Sequence, residues 1–279
     1  MVKKILIGLY LLFAVVPLVM GLGYSLLYSL GLTGLMREGF TLVHWQSLFS
    51  SGAFWGSLGY SLYLTLVSLL IAVACAFVVG WRLGMEESPQ LYKILFLPLT
   101  FPPLIAAFSI YFLAGPSGII SRVFFQLGLV DGLESFPRIV NDYWAIGILL
   151  AHWFLVFPVL TLLLVHQAKK ERMRQLYDLS KILGGTTRQF ISKVFIPLLL
   201  RQMKPVIVLY GIFLFGTYEV PLLLGRTSPR VVTVFITEKL SRFNMEDIPT
   251  GHAMAVVYTV SILIVVRILF GRGTLALFK

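Results

Sequence analysis

Apolar residues in this chain come in long unbroken runs, and polar residues come in short clusters between them. Six runs stand out, at residues 5–30, 57–81, 94–114, 143–166, 203–224 and 251–270. Each is about 20 residues or longer, enough to cross a hydrocarbon core of roughly 30 Å at about 1.5 Å per residue. The runs are continuous, whereas a membrane β-strand would alternate over about ten residues. The pattern therefore predicts an all-α, polytopic membrane protein with six transmembrane helices.

Details within the runs refine this picture. The third contains Pro98, Pro102 and Pro103, which remove backbone donors and predict a bent helix. The fourth contains Pro158. Trp45 and Trp55 flank the start of the second run, where amphipathic rings suit a membrane interface. Residues 118–127 read as a short interfacial helix. The expected organisation is an N-terminal helix with its following polar segment (1–56), a core of spans 2–6 (57–270) and a short tail (271–279).

Composition agrees: 58% of the 279 residues are hydrophobic, 13% are charged, and mean hydropathy is +0.90. The net charge of +11 does not point to nucleic acid, because the bases cluster beside the spans. With six spans both termini share one side, and that side holds most of the 23 Lys and Arg. The positive-inside rule makes it the cytoplasm, so a multi-pass protein of a bacterial inner (plasma) membrane with both termini cytoplasmic is expected. The apolar stretch after Lys3-Lys4 is too long for the core of a cleaved signal. Cys75, the single cysteine, lies in a span and reads as a small buried apolar residue.

The longest polar passage, residues 167–197, separates runs four and five and is strongly basic. Leu176, Leu179 and Leu183 fall at i, i+3 and i+7 and share one helical face, with Tyr177 and Asp178 beside it. Gly184-Gly185 ends that helix through the left-handed cap glycine accepts. Thr186 followed by Gln189 is a capping-box pattern opening a second helix. Pro197 is expected to break the chain as it re-enters the membrane. On residue chemistry alone, this helix–elbow–helix is either a projecting knob or an amphipathic hairpin lying on anionic lipid.

The spacing resembles the cytoplasmic loop of permease subunits of binding-protein-dependent type I ABC importers. Asp178, Leu179 and Ser180 stand where that family has Glu-Ala-Ala; Gly184 falls on its glycine; Val194, Ile196 and Pro197 fall on its closing residues. The stretch around Gly118–Leu129 and the run Phe215–Gly225 also look like the family, the latter like permeases of the polyamine, iron and thiamine group. The resemblance covers roughly residues 40–270. It implies that Leu176, Tyr177, Asp178, Leu179, Leu183, Gly184 and Pro197 couple the spans to a cytoplasmic ABC ATPase dimer by alternating access. It further implies a second homologous permease subunit, with a heterodimer favoured, and a periplasmic or lipid-anchored solute-binding protein, all in contact with membrane lipid. The solute it suggests is polyamine-like or another small cation. The alternative class is a secondary transporter or channel working without an ATPase.

Chemistry within the chain is sparse. No G-x-x-x-x-G-K-[ST] phosphate loop is present, so the chain is expected to bind no cofactor, with ATP and Mg on the partner ATPase, and to be a transporter subunit rather than an enzyme. His44, His152, His166 and His252 are scattered over different segments and read as interface or packing residues, not ligands. Glu219 is the one acid placed inside a run, and an ionisable group there is costly. It either lines the solute path or pairs with Arg226 or Arg230. Tyr218, Pro102, Phe108 and Tyr111 are the further lining candidates. Arg122, Arg138, Arg230, Lys239 and Arg242 in the outer segments are candidates to meet an acidic binding protein.

Overall fold

The computed structural model describes residues 2–34, 39–85, 89–132, 135–241 and 244–270. Among them every regular element is helical, and six helical segments are long and apolar enough to cross a membrane. The chain forms two compact units, Met1–Gly59 with Val231–Lys279, and Tyr60–Arg230. Within the first unit the last span packs on the first.

In the first unit, α1 (Val2–Ser29) lies against α13 (Asp247–Phe270). Their contact is polar–aromatic: Tyr28 stacks on His252 at 4.4 Å, and the Ser25 hydroxyl lies 3.3 Å from His252 Nδ1. The short α2 (Val43–Ser50) is tied in by Trp45, whose indole N–H donates to Ser29 Oγ at 3.1 Å. A core of Leu48, Phe54, Val232, Phe235, Ala253 and Met254 joins α2 and the start of α3 (Gly52–Met85) to α12 (Val232–Ser241) and α13. Lys239 pairs with Asp247 at 2.6 Å across the α12–α13 turn. The outward face of α1, with Phe13 and Leu18, is exposed, as a lipid-facing helix requires.

In the second unit α7 (Ile146–Lys170) is the most buried span. It packs against α5 (Pro103–Ala114), α10 (Ile196–Phe215) and α11 (Glu219–Leu224). Lipid tails are as apolar as leucine, so helices associate through close packing and buried hydrogen bonds. Both devices are present. A Cβ on Gly80 of α3 would lie 2.4 Å from Leu164 Cδ2, so the glycine lets the Leu164 side chain of α7 pack close against the α3 backbone. His152 of α7 is bracketed by Ser68 of α3, 3.0 Å from Nδ1, and Thr217, 3.2 Å from Nε2. Thr217 sends its proton to Leu214 O at 2.8 Å. Its oxygen therefore accepts from Nε2–H, and Ser68 donates to Nδ1. His152 is a packing residue, as its sequence context suggests.

Two spans depart from expectation. The third is not one bent helix over 94–114. The chain forms α4 (Pro89–Ile94), a 3₁₀ turn (Pro98–Thr100), and then extended backbone at Phe101 and Pro102 before α5 begins at Pro103. Three prolines within six residues leave too few donors for a helix, and each biases its predecessor away from helical geometry. The span-length segment is instead Pro103–Gln126, made of α5, a turn at 115–118 and α6 (Ile119–Gln126). The short helix expected at 118–127 is α6.

The fifth span is not continuous over 203–224. Its helical path starts at Thr187 and ends at Phe215, and α11 is a separate helix of six residues. Pro221 has no N–H for the carbonyl of Thr217, so α10 cannot continue through it. Glu219 is thereby the first residue of α11, a helix separate from the long fifth one, rather than part of a continuous helix over 203–224. Among the described residues the buried acid is Asp142, at 8% exposure, whose Oδ2 accepts from the first-turn N–H of Ile146 of α7 at 3.0 Å.

A Cβ on Gly147 would sit 2.6 Å from the Ile139 carbonyl oxygen, whereas one on Gly211 would meet Leu69 Cδ2 at an ordinary 3.5 Å. Gly147→Ala should therefore cost about 1–3 kcal/mol, and Gly211→Ala should be neutral or slightly stabilising. Thermal melting of the two detergent-purified variants checks this ordering.

Candidate functional site

The polar loop after α7 folds as a helical hairpin, with α8 (Met173–Ile182) running into α9 (Thr187–Phe190). The elbow is built by two glycines with different tasks. Gly184 takes φ +82, the left-handed conformation that an L side chain resists. Its N–H bonds Lys181 O at 3.0 Å, and that of Gly185 bonds Ser180 O at 2.8 Å. This is the paired Schellman arrangement that satisfies the last carbonyls of α8. A Cβ on Gly185 would lie 2.8 Å from Ser180 O, so its smallness is needed as well. The capping box is complete: Gln189 N–H donates to Thr186 Oγ1, and Thr186 N–H donates to Gln189 Oε1.

Pro197 does not break the chain, which corrects the expectation. It sits in the first turn of α10, preceded by a π turn at Ile191–Phe195. The wider i→i+5 turn absorbs the bond proline cannot make, so helical structure runs unbroken from α9 into α10.

One face of α8 is fastened inward. Met173 is 1% exposed, and the half-buried Tyr177 lies one turn on. The Tyr177 ring meets Trp81 of α3 edge-on at 5.5 Å and Phe190 at 5.3 Å, and its hydroxyl lies 2.9 Å from Thr187 Oγ1. Trp81 in turn meets Phe195 at 5.0 Å. These rings join the hairpin to the ends of α3 and α10. Trp81, Phe190 and Phe195 escape sequence reasoning as a group, because an aromatic at a span end signals an interface rather than a partner 96 positions away, the separation of Trp81 and Tyr177.

The opposite face of α8 is bare and apolar. Leu176 and Leu179 are exposed, Leu183 is 78% exposed and Ile182 82%. Ile182 extends the expected leucine row, and its position three after Leu179 is the signal that identifies it. Asp178 is exposed and makes no hydrogen bond or ion pair among the described residues. Tyr177 therefore differs from the other expected coupling residues: it anchors the helix instead of presenting it.

The expected lining residues fall on adjoining elements. α11, which begins at Glu219 just after Tyr218, packs on α5, which carries Phe108 and Tyr111 and follows Pro102. Pro102, Phe108, Tyr111 and Glu219 are exposed within the chain. No ion pair joins Glu219 to Arg226 or Arg230 among the described residues; the Arg226 guanidinium instead lies 5.4 Å above the Tyr143 ring. Phe108 and Tyr111 both contact Phe112. Of the outer bases, Lys239 is engaged by Asp247, Arg122 Nε donates to Ser117 O, and Arg242 lies outside the described residues. No cluster of His, Cys, Asp or Glu able to hold a metal occurs among the described residues.

No protein-family model matches the chain. A bacterial ABC transporter involved in import of the acidic polysaccharide alginate superposes with a TM-score of 0.74 over 98% of this chain and 95% of that one, at 16% identity. The bacterial alginate ABC transporter in complex with an alginate pentasaccharide-bound periplasmic protein gives 0.76 over 97% and 93%, at 15% identity. The chain shares its fold with these ABC transporter structures. In sequence, the chain is similar to the thiamine transport system permease protein ThiP of Escherichia coli K12, 27% identical over 193 residues, 68% of the chain. The Salmonella typhimurium ThiP is 26% identical over 193 residues. The chain spans 34% of the length of either relative.

Gly185→Ala should displace the Schellman cap and loosen α8, whereas Gly184→Asn should keep it, because asparagine tolerates the left-handed region. Limited trypsin digestion at Lys181 reads this out: faster cleavage than wild type is expected for the first variant and an unchanged rate for the second.

Proposed function

We propose that the chain is a membrane-spanning permease subunit of an ABC importer, coupled to a separate ATPase through α8. The observation that carries this reading is the two-sided construction of that helix. One side is locked to α3 and α10 through Trp81, Tyr177, Phe190 and Phe195. The other presents Leu176, Leu179, Ile182 and Leu183 with nothing covering them. An exposed apolar row on a rigid knob is a docking surface, and a push on it is delivered directly to two spans. The ATPase dimer supplies ATP and Mg. Asp178 beside the row offers a carboxylate to an ATPase base, Gly184 sets the elbow, and Pro197 with its π turn passes movement into α10.

The pathway forms where α5 and α11 meet, with Glu219, Tyr218, Pro102, Phe108 and Tyr111 facing a second permease subunit, a heterodimeric partner being favoured. A solute-binding protein delivers the solute from outside. An unpaired, exposed Glu219 supports a small organic cation as the solute. The thiamine systems of the relatives fit that charge, since thiamine carries a permanent positive charge; a polyamine fits it as well. The termini and the α8 hairpin are cytoplasmic, following the basic residues of that side.

Co-purification and reconstitution test the reading. Leu179→Asp should place a charge in the docking row and lower ATPase recovery about tenfold or more, the worth of one buried hot-spot contact. Gly184→Asp should leave the subunit folded but abolish solute-stimulated ATP hydrolysis; wild-type stimulation would sink the coupling role. For the pathway, Glu219→Gln should raise the KM of cation uptake about tenfold while leaving basal ATP hydrolysis unchanged, as loss of one charge contact predicts. An unchanged KM removes Glu219 from the path.

A further inference from the structure

A cleft of about 320 Å³ opens where α3 and α7 end and α8 begins. Its walls are of two kinds. Leu83, Met85 and Ala168, at the ends of two membrane-length helices, make the apolar part with Met173 of α8. Lys169, Arg172 and Arg174 make the polar part, and no acidic side chain lines the cleft among the described residues. None of the three bases forms an ion pair there; the Lys169 ammonium lies 5.6 Å above the Tyr92 ring. Glu171, within the same turn, is half-buried and is not part of the lining.

The turn that gathers these charges is strained. Arg172 adopts φ +52, a left-handed conformation that costs a non-glycine residue roughly 1–2 kcal/mol. It is the N-cap of α8 and supplies no side-chain cap. The N–H groups of Met173, Arg174 and Gln175 find no acceptor among the described residues, and all three residues line the cleft. Like charges held together beside uncapped donors are unfavourable without an anion. A phosphodiester meets every demand. It accepts from guanidinium forks and from first-turn N–H groups, and it carries one negative charge.

We propose that this cleft binds the headgroup phosphate of an anionic phospholipid, with the first methylenes of its acyl chains against the partly exposed Met85, over a floor closed by the buried Leu83, Ala168 and Met173. The position of the cleft beside Met85, at the ends of two membrane-length helices, favours a lipid over free phosphate, and basic pockets at the cytoplasmic ends of spans have that chemistry. The inference rests on reading α3 and α7 as membrane spans. It does not require that the chain works with an ATPase.

The test is native mass spectrometry of the full chain, purified in non-ionic detergent and titrated with phosphatidylglycerol or phosphatidylcholine. Wild type should retain one phosphatidylglycerol and no phosphatidylcholine. Arg172→Asn with Arg174→Gln should lower retention about tenfold or more, at roughly 1 kcal/mol per base removed; asparagine suits the left-handed turn. Arg188→Gln with Lys193→Gln removes the same charge outside the cleft and should retain the lipid as wild type does. Arg174→Gln alone is read the same way should the first pair fail to fold. Equal retention in wild type and the cleft variant overturns the proposal, as does equal loss in both pairs. Binding of phosphatidylcholine to the same extent, or displacement of the lipid by equimolar inorganic phosphate, overturns it too.

Discussion

The Trp81 indole, at the end of α3, is the contact on which the working parts depend. It meets Tyr177 of the hairpin and Phe195 at the approach to α10, both edge-on and both close to 5 Å. Without it, α8 would be held to the spans by little more than the buried Met173, a four-residue turn before Thr187 and a strained turn after Lys170. With it, a ten-residue helix too short to be stable alone becomes a rigid extension of two spans. The same fastening leaves the other side of α8 exposed, because a helix with Met173 and Tyr177 turned inward must turn Leu179 and Ile182 outward.

A second constraint comes from the bilayer, where freed backbone groups need a partner within the protein. Both places where a run of apolar residues fails to be one helix are proline sites, and both lie beside α7, the most buried span. The chain is extended at Phe101 and Pro102 ahead of α5, and it is interrupted at 216–218 ahead of α11. At the second break the Ser68–His152–Thr217 bracket supplies polar contacts across three segments. Two short helices that follow the breaks, α5 and α11, pack on each other, and that is where the pathway is proposed.

Much of this was legible in the residues. Six spans follow from run length, the hairpin from the i, i+3, i+7 leucine row, the elbow from Gly184-Gly185, and the second helix from Thr186 and Gln189. These are local matters. Helix length, glycine stereochemistry and capping act within about four residues, so a linear reading reaches them. Prolines predict bends, but whether a bend becomes a break depends on what accepts the freed carbonyls, and that is not local. Pro197 shows the converse: a π turn just before it kept the helix whole.

By itself the sequence determined that the chain is helical, that it spans a membrane, and that a basic helical hairpin interrupts the spans. Only the tertiary structure decided which face of that hairpin is bare, that Tyr177 is an anchor, that Asp142 and not Glu219 is the buried acid, and that three bases converge on one cleft. The physical reason lies in the solvent. In water, burial sorts apolar from polar positions, so periodicity reveals the inward face. In lipid both faces of a span are apolar, and the choice between neighbour and lipid falls to close packing at positions such as Gly80 and to ring contacts such as that of Trp81.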